Sequence, residues 1–120
     1  MAVILIVEDE LFIRQNAEWA MEDLGHSTLV AMDLAEALVH LSASRHIDAL
    51  FVDIRLSELP FGGYDVANQA IVLRPGLRVL YTSGGLLTAE MSGGFVGGGQ
   101  FLQKPYSAEQ LGESVGALLH

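Results

Sequence analysis

Three stretches of this 120-residue chain are apolar almost without interruption: AVILIV at 2–7, IDALFV at 47–52 and LRVLYT at 77–82. A strand wetted on one face alternates apolar and polar residues, whereas a strand covered on both faces does not. These runs therefore require a sheet with helices packed on both sides. Each run also stops on hydrophilic residues: Glu8-Asp9 after the first, Asp53 after the second, Thr82-Ser83 at the third. STLVA (27–31) and QFLQ (100–103) are weaker copies. None of the runs approaches the roughly 20 apolar residues that span a bilayer. The first lacks the basic flank and cleavage site of a signal peptide, so a soluble, cytoplasmic protein without a membrane partner is expected.

Helical patterns fill the gaps between the runs. Over 11–24, Ile13, Ala17, Ala20 and Leu24 share one face with Met21 beside it, and Gly25 suits the position just past a helix end. Asp33 and Glu36 open a second helix reaching about Ser44. YDVANQAIVL (64–73) is a third, stopped by Pro75-Gly76. Ser107 and Gln110 make a capping box for a last helix whose Leu111, Val115 and Leu118 line up. Strand and helix alternate throughout, which implies one domain, 1–120, with a parallel five-stranded sheet in the flavodoxin-like order 2-1-3-4-5.

SGGLLTAEMSGGFVGGGQ (83–100) stands where a fourth helix belongs, yet five glycines fall between Ser92 and Gly99. Each costs a helix about 1 kcal/mol against alanine. The expectation is a degraded fourth helix of one or two turns near Thr88–Ser92 inside a mobile loop. Gly97-Gly98-Gly99 is not a phosphate-binding P-loop, because no GK[ST] follows.

Fifteen acidic residues against six basic ones give a net charge of −9. A phosphate backbone would be repelled, so nucleic acid is excluded as a partner. With no cysteine there is neither a disulfide nor a thiolate metal site. The histidines at 26, 40, 46 and 120 lack metal-site spacing.

In an open parallel α/β sheet, ligands bind beyond the carboxyl ends of the strands at the switch in strand order, here between strands 1 and 3. Glu8, Asp9 and Asp53 meet at that edge, with Thr82 at the end of strand 4 and Lys104 at the end of strand 5. Three crowded carboxylates repel one another unless they protonate or bind a cation. An all-oxygen set suits Mg²⁺, which shares its coordination sphere with waters and phosphate. A carboxylate beside such a metal can attack phosphorus, while Lys104 and the Thr82 hydroxyl would steady the transferring oxygens. Taken singly, each residue has a plainer reading: Glu8, Asp9 and Glu10 as a solvated turn with a helix N-cap, Asp53 as a turn cap, Lys104-Pro105 as an ordinary loop. Their convergence on one edge favours the chemistry.

VEDE (7–10), FVDIRL (51–56), LYTSG (80–84) and FLQKPY (101–106) together resemble the receiver domain of the response-regulator family, over the whole length of the chain. The resemblance implies that Asp53 is the phosphoacceptor. It implies that Glu8 and Asp9 hold Mg²⁺, joined by Asp53 and the backbone carbonyl of Arg55, and that Thr82 and Lys104 contact the phosphoryl group. Phe101 takes the switch-aromatic position, often tyrosine, and without a hydroxyl only burial can bias it. A cis Lys104-Pro105 bond is implied as well. Two features depart from the pattern: the eroded fourth helix, which belongs to the usual output surface, and Arg55, a cation beside the acceptor.

The expected function is that of a stand-alone response regulator. It accepts phosphate from a sensor histidine kinase or phosphotransfer protein, then signals through an unknown downstream partner or relays the phosphate. It turns over no external substrate. A phosphatase of the haloacid-dehalogenase type is the enzymatic rival, but it wants a second acid two residues past the nucleophile, where Arg55 stands. A non-phosphorylated binding module with the same fold is a third reading, opposed by the complete set of acids, threonine and lysine. Phe12 and Trp19, seven apart on the first helix, either cover Gly112 and Gly116 of the last helix or anchor a kinase or a second copy of the chain.

Overall fold

The pleat sorts each apolar run between two cores. In strand β1 (Val3–Val7), Ile4 and Ile6 face one side of the sheet, and Leu5 and Val7 the other. Strand β3 (Ala49–Asp53) does the same with Ala49 and Phe51 against Leu50 and Val52. All of these side chains are buried, which is why neither run alternates. The computed structural model describes residues 2–120. It adds strands β2 (Ser27–Ala31), β4 (Arg78–Ser83) and β5 (Gln100–Gln103), all parallel, in the order β2-β1-β3-β4-β5. The edge strands β2 and β5 are the least buried, as the weaker patterning of STLVA and QFLQ requires.

Helix α1 (Leu11–Asp23) covers one face together with α5 (Ala108–Leu119). Ala17 and Met21 meet Leu111, Val115 and Leu118 across Ile4, Ile6 and Phe51. Helices α2 (Leu34–Ser42) and α3 (Gly62–Leu73) cover the other face through Ala37, Leu41, Val66, Ala67 and Ala70. Capping follows the local chemistry. Asp33 accepts from the Glu36 amide, and Ser107 and Gln110 close a full capping box. Gly25 has φ +90° just beyond α1. Glu10 is itself the N-cap of α1, accepting from the Ile13 amide at 3.0 Å, so the plainer reading of that acid holds.

Several sequence expectations are corrected. Leu24 is not on the core face of α1: it is the C-cap, half exposed, and its methyls lie over Gly112, the space that one of the two readings of Phe12 and Trp19 gave to a ring. Phe12 and Trp19 stay 68% and 54% exposed and do not fill that space. Strand β3 begins at Ala49, two residues past the start of the apolar run, and the Asp48 side chain just before it accepts a hydrogen bond from the Val3 amide at 2.8 Å. Helix α3 starts at the buried pair Gly62-Gly63, two residues early. Helix α2 stops at Ser42, short of Ser44, with Ala43 extended.

The fourth helix is a single short turn, α4 (Ala89–Gly93), capped by Thr88. The glycine-rich chain after it lies against aromatic rings. The Tyr64 hydroxyl donates to the Met91 carbonyl at 2.8 Å, Phe95 stacks on Tyr81 with centroids 4.2 Å apart, and the buried Val96 amide donates to the Tyr81 hydroxyl at 2.9 Å. A Cβ on Gly94 or Gly99 would come within 2.9 or 2.8 Å of the Tyr64 or Tyr81 ring. Those glycines permit close packing as well as breaking the helix.

Candidate phosphoacceptor site

Parallel pairing places Asp53 of β3 beside Thr82 of β4, and β1 on the other side of β3 ends one residue before Glu8. Strand geometry alone therefore brings Glu8, Asp53 and Thr82 to one edge, and all three are buried. Lys104 follows β5, its amide bonded to the Ser83 carbonyl at 2.9 Å, and the Lys104-Pro105 bond is cis. The ammonium reaches across the edge, donating to Glu8 Oε1 at 2.5 Å and to Asp53 Oδ2 at 3.1 Å.

One cation thus serves two buried acids, with Asp9 close by. Oxygen atoms of Glu8, Asp9 and Asp53 lie within 4.8 Å of one another. Burial pushes the Glu8 carboxyl up to about 8; the bond from Lys104 opposes the shift and the neighbouring Asp53 reinforces it. For Lys104, burial works against the charge, but the bond to Glu8 and the charges of Glu8 and Asp53 win, and its pKa rises. Among the described residues, two buried side-chain oxygens have no partner: Glu8 Oε2 and Thr82 Oγ1. A buried polar atom without a bond costs about 1–3 kcal/mol. The orphaned carboxylate oxygen beside two further acids fits a divalent cation, and the orphaned hydroxyl fits an incoming oxyanion.

Arg55, Glu58, Ser83 and Gly84 line the mouth of the crevice with Asp9 and Lys104. Arg55 itself is exposed. Phe101 is half-buried, in register with Tyr81 and stacked on Phe95 at 6.3 Å, so packing holds it where a tyrosine hydroxyl is lacking. Sequence reasoning missed three contributors. Tyr106 packs edge-on to Phe51 at 5.8 Å, and burial, then the charges of Glu8 and Asp53, push its hydroxyl up to about 12. Arg14 donates to the Glu8 carbonyl at 3.0 Å. The Ser57 amide donates to Asp9 Oδ2 at 3.1 Å. Only Tyr106 carried a signal, as the aromatic residue after Lys104-Pro105. Three of the four histidines are occupied structurally: His26 accepts from the Ala2 amide, and His40 and His46 pair with the Val30 carbonyl and Asp48.

A doubly wound parallel sheet carrying an acid trio, a threonine and a lysine at the carboxyl ends of its strands defines a class of phosphoryl-accepting signalling modules. Residues 4–116 match the family described as the response regulator receiver domain, and the chain belongs to that family. It is 30% identical over 112 residues to the Protein PilG of Pseudomonas aeruginosa, covering 90% of this chain and 80% of that one. It is 29% identical to the Response regulator MprA of Mycobacterium avium over 97% of its own length but 50% of the relative's. A response regulator receiver protein from Sinorhizobium medicae superposes with a TM-score of 0.86 at 29% identity, over 98% of this chain and 94% of that one. Proteins of this family typically are phosphorylated and bind Mg²⁺, and they interact with histidine kinases or phosphotransfer proteins. Among the described residues no helix is long and apolar enough to cross a membrane.

Proposed function

We propose that this domain accepts a phosphoryl group on Asp53 from the phosphohistidine of a sensor kinase or phosphotransfer protein, and acts by phosphorylation-dependent partner binding or phosphate relay. The observation that carries the assignment is the bond from Lys104 to Asp53 Oδ2 beside the unpartnered Thr82 hydroxyl. Lys104 ties up one carboxylate oxygen and leaves the other to attack. A new O–P bond forms as the P–N bond to the donor imidazole breaks, and its electron pair returns to the ring nitrogen. The Thr82 hydroxyl then has a phosphoryl oxygen to donate to, and Lys104 keeps its charge beside the acyl phosphate.

Glu8 and Asp9, with Asp53 and the Arg55 carbonyl, would hold Mg²⁺, whose charge would offset that of the phosphoryl oxygens. The domain then works as a switch over residues 1–120 and not as an enzyme with an external substrate. Arg55 stands where a haloacid-dehalogenase-type phosphatase needs its second acid, which speaks against that chemistry. Incubation with a small phosphodonor and Mg²⁺, followed by intact-mass measurement, tests the reading: the wild type gains one phosphate and Asp53→Asn gains none. Equal, base-labile incorporation in Asp53→Asn would falsify it.

A further inference from the structure

Between β3 and α3 the chain makes a turn that the acid trio alone does not demand. Leu56 and Leu59 exchange both backbone hydrogen bonds, at 3.2 and 3.0 Å. Between them Ser57 and Glu58 hold φ of 53° and 64°. Left-handed backbone at both central positions marks the mirror-image two-residue turn, for which Asn-Gly is the favoured pair. Serine and glutamate are poor choices there, since a Cβ disfavours the left-handed region. The turn persists because its base is fixed: the Leu56 side chain is buried, and the chain at Gly62 passes so close that a Cβ there would stand 2.9 Å from the Leu56 carbonyl oxygen.

What the strained turn secures is the direction of one amide. Ser57 N–H points across 48 residues to Asp9 Oδ2, at 3.1 Å. Asp9 is the open member of the trio, following the last residue of the β1 edge by two positions, and it lacks the burial that fixes Glu8 and Asp53. We infer that Ser57 is a positioning residue for Mg²⁺: its backbone amide, held outward by the Leu56–Leu59 turn, keeps the Asp9 carboxylate turned toward Glu8 and Asp53. This rests on the metal reading above and adds to it a residue that does not touch the ion. Groups that hydrogen-bond a ligating carboxylate orient it and raise the site's affinity.

A backbone amide cannot be deleted, so the turn is altered at constant charge. Ser57→Val places a β-branched residue where φ is positive and should splay the turn. The double variant Ser57→Asn with Glu58→Asp keeps the charge and uses residues that tolerate left-handed backbone. Titration of Mg²⁺ by calorimetry should show Ser57→Val weakened by about tenfold or more and the double variant within about twofold of wild type. In an Asp9→Ala background, Ser57→Val should cause no further loss, because its effect runs through Asp9. In metal-free protein the Ser57 amide proton resonance should move upfield in Asp9→Ala as the bond is lost. An unmoved Ser57 resonance overturns the proposal whether or not Ser57→Val folds. So does a Ser57→Val protein that binds Mg²⁺ like wild type while Asp9→Ala does not. If Asp9→Ala itself binds Mg²⁺ normally, the metal assignment fails instead, which separates the two readings.

Discussion

A Cβ placed on Gly63 would stand 2.1 Å from the carbonyl oxygen of Asp53. The first turn of α3 lies directly on the backbone of the acceptor residue, and the Gly63 amide donates to the Ile54 carbonyl at 2.8 Å. The acceptor is thus held from the sheet side by β1 and β4 and from above by a glycine. Gly63→Ala must move either the helix or β3, and overpacking of this kind costs about 1–3 kcal/mol. Thermal unfolding should report that loss. Phosphate incorporation by the folded fraction should fall too, because Asp53 cannot keep its distance to Lys104.

Lys104→Met removes the one cation shared by Glu8 and Asp53. Breaking a buried ion pair from one side costs up to about 3–5 kcal/mol; the partial exposure of Lys104 places this case at the lower end. Denaturant unfolding without metal should show the loss. Mg²⁺ should then stabilise the variant more than the wild type, since Lys104 no longer competes for the same oxygens; a ligand at 100 times its Kd adds about 2.7 kcal/mol. Equal stabilisation of both proteins by Mg²⁺ would count against a metal at this trio.

Tyr81→Phe keeps the stack on Phe95 but removes the acceptor of the buried Val96 amide. An amide left unpaired costs about 1–3 kcal/mol. Amide hydrogen exchange at Val96 and through 94–99 should quicken while exchange in β1 and β3 is unchanged. Faster exchange everywhere would mean that Tyr81 serves the core alone.

His26 makes stability depend on pH. Burial lowers its pKa from 6.5, against the opposing charge of Asp48, and its Nδ1 must be unprotonated to accept from the Ala2 amide. Because the folded pKa lies below the unfolded one, the contribution is complete above the unfolded pKa. It is lost as the pH falls from about 6.5 through the folded value. His26→Asn offers an uncharged acceptor at that place. Its unfolding free energy should therefore fall less than that of wild type between pH 8 and 5, roughly spanning the histidine range; parallel curves would remove His26 as the cause.

The strands and the acids were legible because both-sided burial leaves a direct mark: AVILIV and IDALFV have no polar phase, and each gives way to acid where the cover ends. Capping was legible for the same reason, since Ser107 and Gln110 satisfy amides within one turn. Chemistry decided at short range along the chain, or by periodic burial, can be read from residue order. Leu24 was misplaced, and the choice between the two readings of Phe12 and Trp19 stayed open, because helical phase says which residues align, not which of them the neighbouring helix reaches.

From residue order came the parallel sheet, its strand order, and the convergence of Glu8, Asp9, Asp53, Thr82 and Lys104. Tertiary structure alone settled how those groups divide their bonds. One ammonium is shared by two buried acids, Glu8 Oε2 and Thr82 Oγ1 are left without partners, and a strained amide at Ser57 is aimed at Asp9. The reason is geometric. A hydrogen bond is made or lost over a few tenths of an ångström, and the sequence separation of 96 positions from Glu8 to Lys104 fixes no distance until the whole sheet has formed.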